Sequence, residues 1–220
     1  SSFPWGNGGA YSTYTDYFYW DPFVSRLSSD FSQYLNASQI PTSSYRTSSY
    51  YDGGHHIDFD GSGNVYISGA TYAYNLSSYA WRGTNTVGTF STYHYLDAFV
   101  AKFSRDLWTM YYDTLIGGTG YEPGQSAYNY YNQIPDYYYA TTGDGLVVDG
   151  SGQAWITGMT SSTNFPTTAG AYKTTNSGGY DAYVFVLNSA GTAATYGTYI
   201  GGSSTDAGKG IESQTRKLFE

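Results

Sequence analysis

The constraint that bears hardest on this chain is internal repetition. Asp60-Gly61-Ser62-Gly63-Asn64-Val65-Tyr66-Ile67-Ser68-Gly69 returns as Asp149-Gly150-Ser151-Gly152-Gln153-Ala154-Trp155-Ile156-Thr157-Gly158, an offset of 149 − 60 = 89. A second block occurs three times, as Asp21-Pro22-Phe23-Val24-Ser25-Arg26-Leu27, Asp97-Ala98-Phe99-Val100-Ala101-Lys102-Phe103 and Asp181-Ala182-Tyr183-Val184-Phe185-Val186-Leu187, at offsets 97 − 21 = 76 and 181 − 97 = 84. A third block follows it, as Leu115-Ile116-Gly117-Gly118 and Tyr199-Ile200-Gly201-Gly202, with Tyr34-Leu35-Asn36-Ala37 as a fainter copy. Blocks that return in the same order describe one supersecondary unit used repeatedly.

Within one unit the local signals are those of an antiparallel meander. Leu146-Val147-Val148 is a short β-rich run, Asp149-Gly150-Ser151-Gly152 is a turn that uses Gly for positive φ, and Ala154-Trp155-Ile156-Thr157 is the returning strand. After a Pro- and Thr-rich loop, residues 182–187 and 195–200 give two more strands around the turn Asn188-Ser189-Ala190-Gly191. Composition agrees with an all-β fold. The 28 Tyr and 28 Gly, with aromatics at 20% against only 12% charged residues, leave a thin aliphatic supply and favour strands with aromatic faces.

Residues 145–158, then Ser162-Thr163-Asn164-Phe165-Pro166-Thr167-Thr168-Ala169-Gly170-Ala171-Tyr172, Gly179-Tyr180-Asp181-Ala182-Tyr183-Val184 and Thr198-Tyr199-Ile200-Gly201-Gly202, resemble the bacterial β-propeller repeat often called the SBBP repeat. The likeness covers roughly residues 143–211; residues 56–120 fit at both ends and depart between Trp81 and Tyr95. The resemblance implies tandem four-stranded antiparallel blades and a secreted or cell-surface setting in bacteria or archaea. It implies no catalytic residue.

In this register the chain divides into a partial unit at 1–53, a unit at 54–127, a Tyr-rich insertion at 128–142, a unit at 143–208 and a segment at 209–220 that begins a further unit. Ser1-Ser2-Phe3-Pro4 parallels Thr163-Asn164-Phe165-Pro166, so the expectation is a unit broken at both ends of the chain. Three arrangements remain open: a trimmed larger propeller, closure within the chain, or completion of one subunit's broken unit by the next, head to tail. Candidate subunit contacts are Phe3, Trp5, Tyr11, Tyr14, Tyr17 and Tyr19 at one end and Ile211, Leu218 and Phe219 at the other. Residues 211–220 fit a helical period and, by position, a strand. The Tyr cluster at Tyr128, Tyr130, Tyr131, Tyr137, Tyr138 and Tyr139 suits lateral contacts or stacking on glycans.

A net charge of −8 and a pI near 4.6 leave phosphate backbones nothing to bind, which sets nucleic acid aside. No run of apolar residues is long enough for a transmembrane segment. Zero Cys excludes disulfides and thiolate metal sites. Asp58, Asp60, Ser62 and Asn64 have the spacing of a calcium loop, against which stands a plain hairpin turn, since Val147 replaces Asp58 in the other copy. His55 and His56 are adjacent on a strand and point to opposite faces, so they make a poor zinc pair. Asp21, Asp97 and Asp181 each precede the same strand and read as carboxylates that bond turn N–H groups. Asn36 and Asn75 match the glycosylation acceptor pattern.

The sequence expectation is therefore a non-enzymatic structural subunit of an extracellular filament or surface appendage, with copies of itself as its partner. The alternative is a glycan- or partner-binding fragment of a larger secreted propeller.

Overall fold

The computed structural model describes residues 22–40, 53–71, 85–90, 96–120, 122 and 145–212. Among them the chain is all-β, with eleven strands in three sheets and no helix. The first sheet pairs β1 (Phe23–Leu27) with β2 (Tyr34–Gln39). The second holds β3 (Gly53–Phe59), β4 (Val65–Thr71), β6 (Asp97–Phe103) and β7 (Met110–Gly117) as an antiparallel meander. To this meander β5 (Asn85–Gly88) adds a short parallel edge along β7. The third sheet is the antiparallel meander β8 (Gly145–Val148), β9 (Ala154–Thr160), β10 (Asp181–Leu187) and β11 (Ala194–Ile200). The strand starts differ from the sequence reading by a residue or so. The described sheets form no closed ring.

Side chains that alternate along a strand point to opposite faces, so a sheet buried on both sides needs apolar residues at every position. The middle sheet meets that demand. Tyr66, Ala98, Val100, Tyr112 and Ile116 pack against Leu146, Ile156, Phe165, Tyr183, Phe185 and Tyr199 of the third sheet. The intervening residues Val65, Ile67, Phe99, Ala101, Phe103 and Leu115 pack with Val24 and Ile40 of the first sheet. Four Tyr rings, Tyr66, Tyr112, Tyr183 and Tyr199, are buried here, so Tyr serves as core where aliphatic residues are scarce. Tyr199 keeps its hydroxyl satisfied by accepting from Phe165 N–H and donating to Ser162 O, both at 2.8 Å.

The turns explain how the sheets stay in step. Asp60 Oδ1 accepts from Ser62 N–H and Asn64 N–H, and Asp149 Oδ1 accepts in the same way from Ser151 N–H and Gln153 N–H. Residues Phe31, Leu107 and Gly191 occupy the left-handed region at φ 57°, 62° and 74°, and lie at the same offsets, 107 − 31 = 76 and 191 − 107 = 84. The same offsets relate the β-bulges after Arg26, Lys102 and Val186. Each left-handed carbonyl inside the stack accepts from the sheet before it: Ser38 Oγ donates to Leu107 O and Thr114 Oγ1 to Gly191 O, both at 2.6 Å.

Loops guard the outer strand edges. Thr168 N–H donates to Gly197 O, and Tyr199 N–H to Lys173 O, so the Pro- and Thr-rich loop lines β11 as β5 lines β7.

A side chain at position 191 would run into the Tyr112 ring and would also hold the disfavoured φ of 74°. Gly191→Ala should therefore lower unfolding stability by about 2–4 kcal/mol, combining overpacking with the left-handed penalty. Gly150→Ala, where a Cβ meets nothing within 4 Å, should change it by less than about 0.5 kcal/mol. Urea unfolding of the two variants would check this.

Candidate functional site

The middle sheet shows what a covered face looks like, and the two ends of the stack can be measured against it. Phe99, Phe103 and Leu107 face the first sheet and are 0%, 0% and 1% exposed. Their counterparts at the offset of 76, Phe23, Leu27 and Phe31, are 50%, 45% and 80% exposed. Phe31 is the sharpest case. It holds a left-handed φ that costs a side-chain-bearing residue about 1–2 kcal/mol, and its ring lies in solvent.

Beside these residues runs a groove of about 490 Å³ lined by Val24, Ser25, Arg26, Leu27, Ile57, Phe59, Gly63, Val65, Arg105 and Leu107. Among the described residues β1 pairs only with β2, and Val24, Ser25, Arg26 and Leu27 of β1 line this groove. In the third sheet β10, at the position of β1, is flanked there by β9 and then β8. Ile57 and Phe59 of β3 are more than half exposed on the groove wall, whereas Leu146, at the offset of 89 from Ile57, is buried under the middle sheet. Among the described residues no strand stands beside β1 where β9 and β8 stand beside β10.

The opposite end is open to a lesser degree. Ile200 is 44% exposed where Ile116 is fully buried. Trp155, Val184 and Tyr196 are half-buried, while Tyr66, Val100 and Tyr112 at the matching positions are buried. Trp155 Nε1 donates to Asp149 Oδ2 at 2.9 Å, which leaves the ring on that surface.

The remaining sequence candidates fall out as follows. Asp58 and Asp60 are not brought to one ligand point: Asp58 Oδ2 accepts from Val148 N–H of the third sheet at 2.8 Å, tying two sheets together. Asp60 is taken up by its turn, by Asn64 Nδ2 at 2.9 Å and by the Lys102 ammonium at 3.4 Å. Burial raises its pKa, but the hydrogen bonds from Asn64, Ser62 and Lys102 outweigh that and hold it below the usual value. Among the described residues no group of three or more His, Asp or Glu side chains could hold a metal ion.

Asn36 is buried, with Nδ2 donating to Asp106 O at 2.8 Å, so this acceptor motif is not presented to a glycan-transferring enzyme in the fold. Of the terminal contact candidates only Ile211 is described, half-buried beside Gly145. Phe3, Trp5, Tyr11, Tyr14, Tyr17, Tyr19, Leu218 and Phe219 lie outside the described residues. So do Asp21, Asn75, Tyr128, Tyr130, Tyr131, Tyr137, Tyr138 and Tyr139.

The repeated Asp before β6 and β10 divides into two chemistries. Asp181 accepts from Ser177 N–H at 3.0 Å, the turn bond expected of it, and also from the Lys173 ammonium at 2.8 Å. Asp97 instead lies buried beside Glu122, a residue the sequence reading passed over because its partner is 122 − 97 = 25 positions away. Glu122 Oε1 accepts from Thr160 Oγ1 at 2.7 Å and from Ser162 Oγ, which fastens the middle sheet to the third. Burial, and then the neighbouring Glu122 charge, drive the Asp97 carboxyl well above the carboxylate range; burial also raises Glu122. Two buried carboxyls in contact oppose ionisation of both, so folding favours a protonated form of the pair.

No protein-family model matches the chain, and no curated protein matches it.

A carboxyl raised by folding stabilises fully below its unfolded pKa near 4, and that contribution disappears as pH rises through the folded value. Stability should therefore decline from about pH 4 upward in the range set by this pair. Asp97→Asn, which removes one charge and keeps the shape, should raise stability at pH 8 by about 1–3 kcal/mol and flatten the decline. Thermal melts at pH 4 and pH 8 would show either this crossing or its absence.

Proposed function

We propose that this chain is a non-enzymatic structural subunit, built from propeller-blade-like β units of the SBBP type, that assembles head to tail into an extracellular filament or surface appendage. The observation that carries this reading is the contrast between equivalent positions: Phe23, Leu27 and Phe31 are open where Phe99, Phe103 and Leu107 are buried, next to a groove of about 490 Å³. A groove walled by exposed apolar side chains suits an added segment, because the segment's alternate side chains can fill it and remove that surface from water. The occupant proposed is the segment that begins at Gly210-Ile211 of another copy. Its Gly-Ile pair matches Gly145-Leu146 at the start of β8, which lies beyond β9 from β10 and against β3, so the segment is placed along the Ile57 and Phe59 side of the groove. Because donor and acceptor surfaces differ, each junction leaves one of each free, and assembly continues.

Electron microscopy of the isolated protein, alongside sedimentation, tests this directly. Regular fibres with an axial repeat are expected; uniform monomers at high concentration would sink the reading and point instead to a module of a larger propeller. Ile57→Asp should separate assembly from folding. Ile57 is half exposed, so the unassembled protein should lose less than about 1 kcal/mol, while burying the new charge in a filled groove should abolish fibres.

A further inference from the structure

The groove accounts for one side of the open end; the face that carries Phe31 requires a second contact. Resting on the assembly reading above, we infer that the third sheet of one copy stacks on the β1–β2 sheet of the next, with Tyr196 and Ile200 closing over Phe31. The stack within the chain supplies the geometry twice. Asn36 and Ser38 of β2 bond the carbonyls of Asp106 and Leu107, and 76 residues on Tyr112 and Thr114 of β7 meet Gly191. Another 84 residues lead to Tyr196 and Thr198 of β11, which face no further sheet among the described residues. The left-handed position such a sheet would offer is Phe31, which precedes Leu107 and Gly191 in the same series.

The contact is not a plain copy of the internal ones. Thr198 Oγ1 accepts from Lys173 N–H at 2.9 Å and donates to Lys173 O, so the hydroxyl tie made by Ser38 and Thr114 is already spent. Nor can Tyr196 sit as Tyr112 does, because Tyr112 lies where any side chain on Gly191 would be. The two rings therefore pack offset, and Ile200, 44% exposed where Ile116 is buried, fills beside them. Aromatic contact replaces the hydrogen bond. No oppositely charged pair is needed, which predicts a junction insensitive to salt.

The chain has no Cys, so a pair of introduced thiols reports on this contact without background. The full-length double variant Phe31→Cys with Tyr196→Cys, oxidised under assembling conditions, should give a ladder of disulfide-linked oligomers on a non-reducing gel. Phe31→Cys with Ser204→Cys, which moves the second thiol beyond the end of β11, should give none. Fibres that form without the 31–196 ladder would overturn this junction and leave the assembly reading standing. An internally linked monomer would show that the two faces meet within one chain, and would overturn both.

Phe31→Asn supplies the second arm, since Asn tolerates a left-handed φ and the ring it removes is exposed. The unassembled variant should melt no lower than the parent, while the concentration for half-assembly should rise roughly 10-fold or more. An unchanged half-assembly concentration would overturn the proposal.

Discussion

The middle layer of this protein depends on being covered on both sides. A sheet whose strands are apolar at consecutive positions has no solvent face, and the middle sheet, with Tyr66 and Val100 on one side and Ile67 and Phe99 on the other, is stable only between neighbours. The polar groups are arranged to the same end. Ser38, Thr114, Asp58 and Glu122 each make a side-chain hydrogen bond to the adjacent sheet or its loops, so these bonds fix how one layer sits on the next. Stacking is thus the primary interaction, and each strand meander is the piece being stacked.

Much of this was legible in the sequence because the signals were local. Asp149-Gly150-Ser151-Gly152 marks a hairpin through its own carboxylate and glycines, and the block Asp-x-Phe/Tyr-Val marks the inner strand through its near-continuous apolar run. What stayed hidden depends on partners far away along the chain. Nothing near Glu122 announces that Asp97 will lie against it, and Thr160 and Ser162 come from another sheet. The short parallel strand β5 occupies the stretch where the two copies diverge, so the repeat could not foretell it. Asn36 fitted an acceptor motif whose pattern carries no information about burial.

Phe31 lay between these cases. Ser28-Ser29-Asp30-Phe31 and Ser104-Arg105-Asp106-Leu107 share a Ser-x-Asp turn in which the Ser hydroxyl donates to the Asp carboxylate, and the shared pattern was available once the offset of 76 was known. The left-handed φ at the fourth position was not, because Asn188-Ser189-Ala190-Gly191 shows the expected glycine and the other two copies do not. A bulky residue accepts that backbone only where something else holds the turn. Inside the stack the sheet before Leu107 bonds its carbonyl, while Phe31 carries the same geometry with its ring in water.

That asymmetry bears on the form of an assembly. Each layer within the chain is turned relative to the last by the twist of its strands and by the fixed Ser or Thr tie, so a junction that repeats the internal stacking inherits the same turn. Among the described residues the three sheets form no closed ring, and the form of the proposed assembly would depend on whether whole chains close a ring or advance along an axis. In the proposed assembly the Tyr196–Phe31 contact would decide between them. A ring-over-glycine contact like Tyr112 on Gly191 would reproduce the internal step, whereas two facing aromatic rings force the incoming layer aside. A step that differs once per chain adds a displacement at each junction, and a displacement along the stack favours a helical fibre over a closed ring.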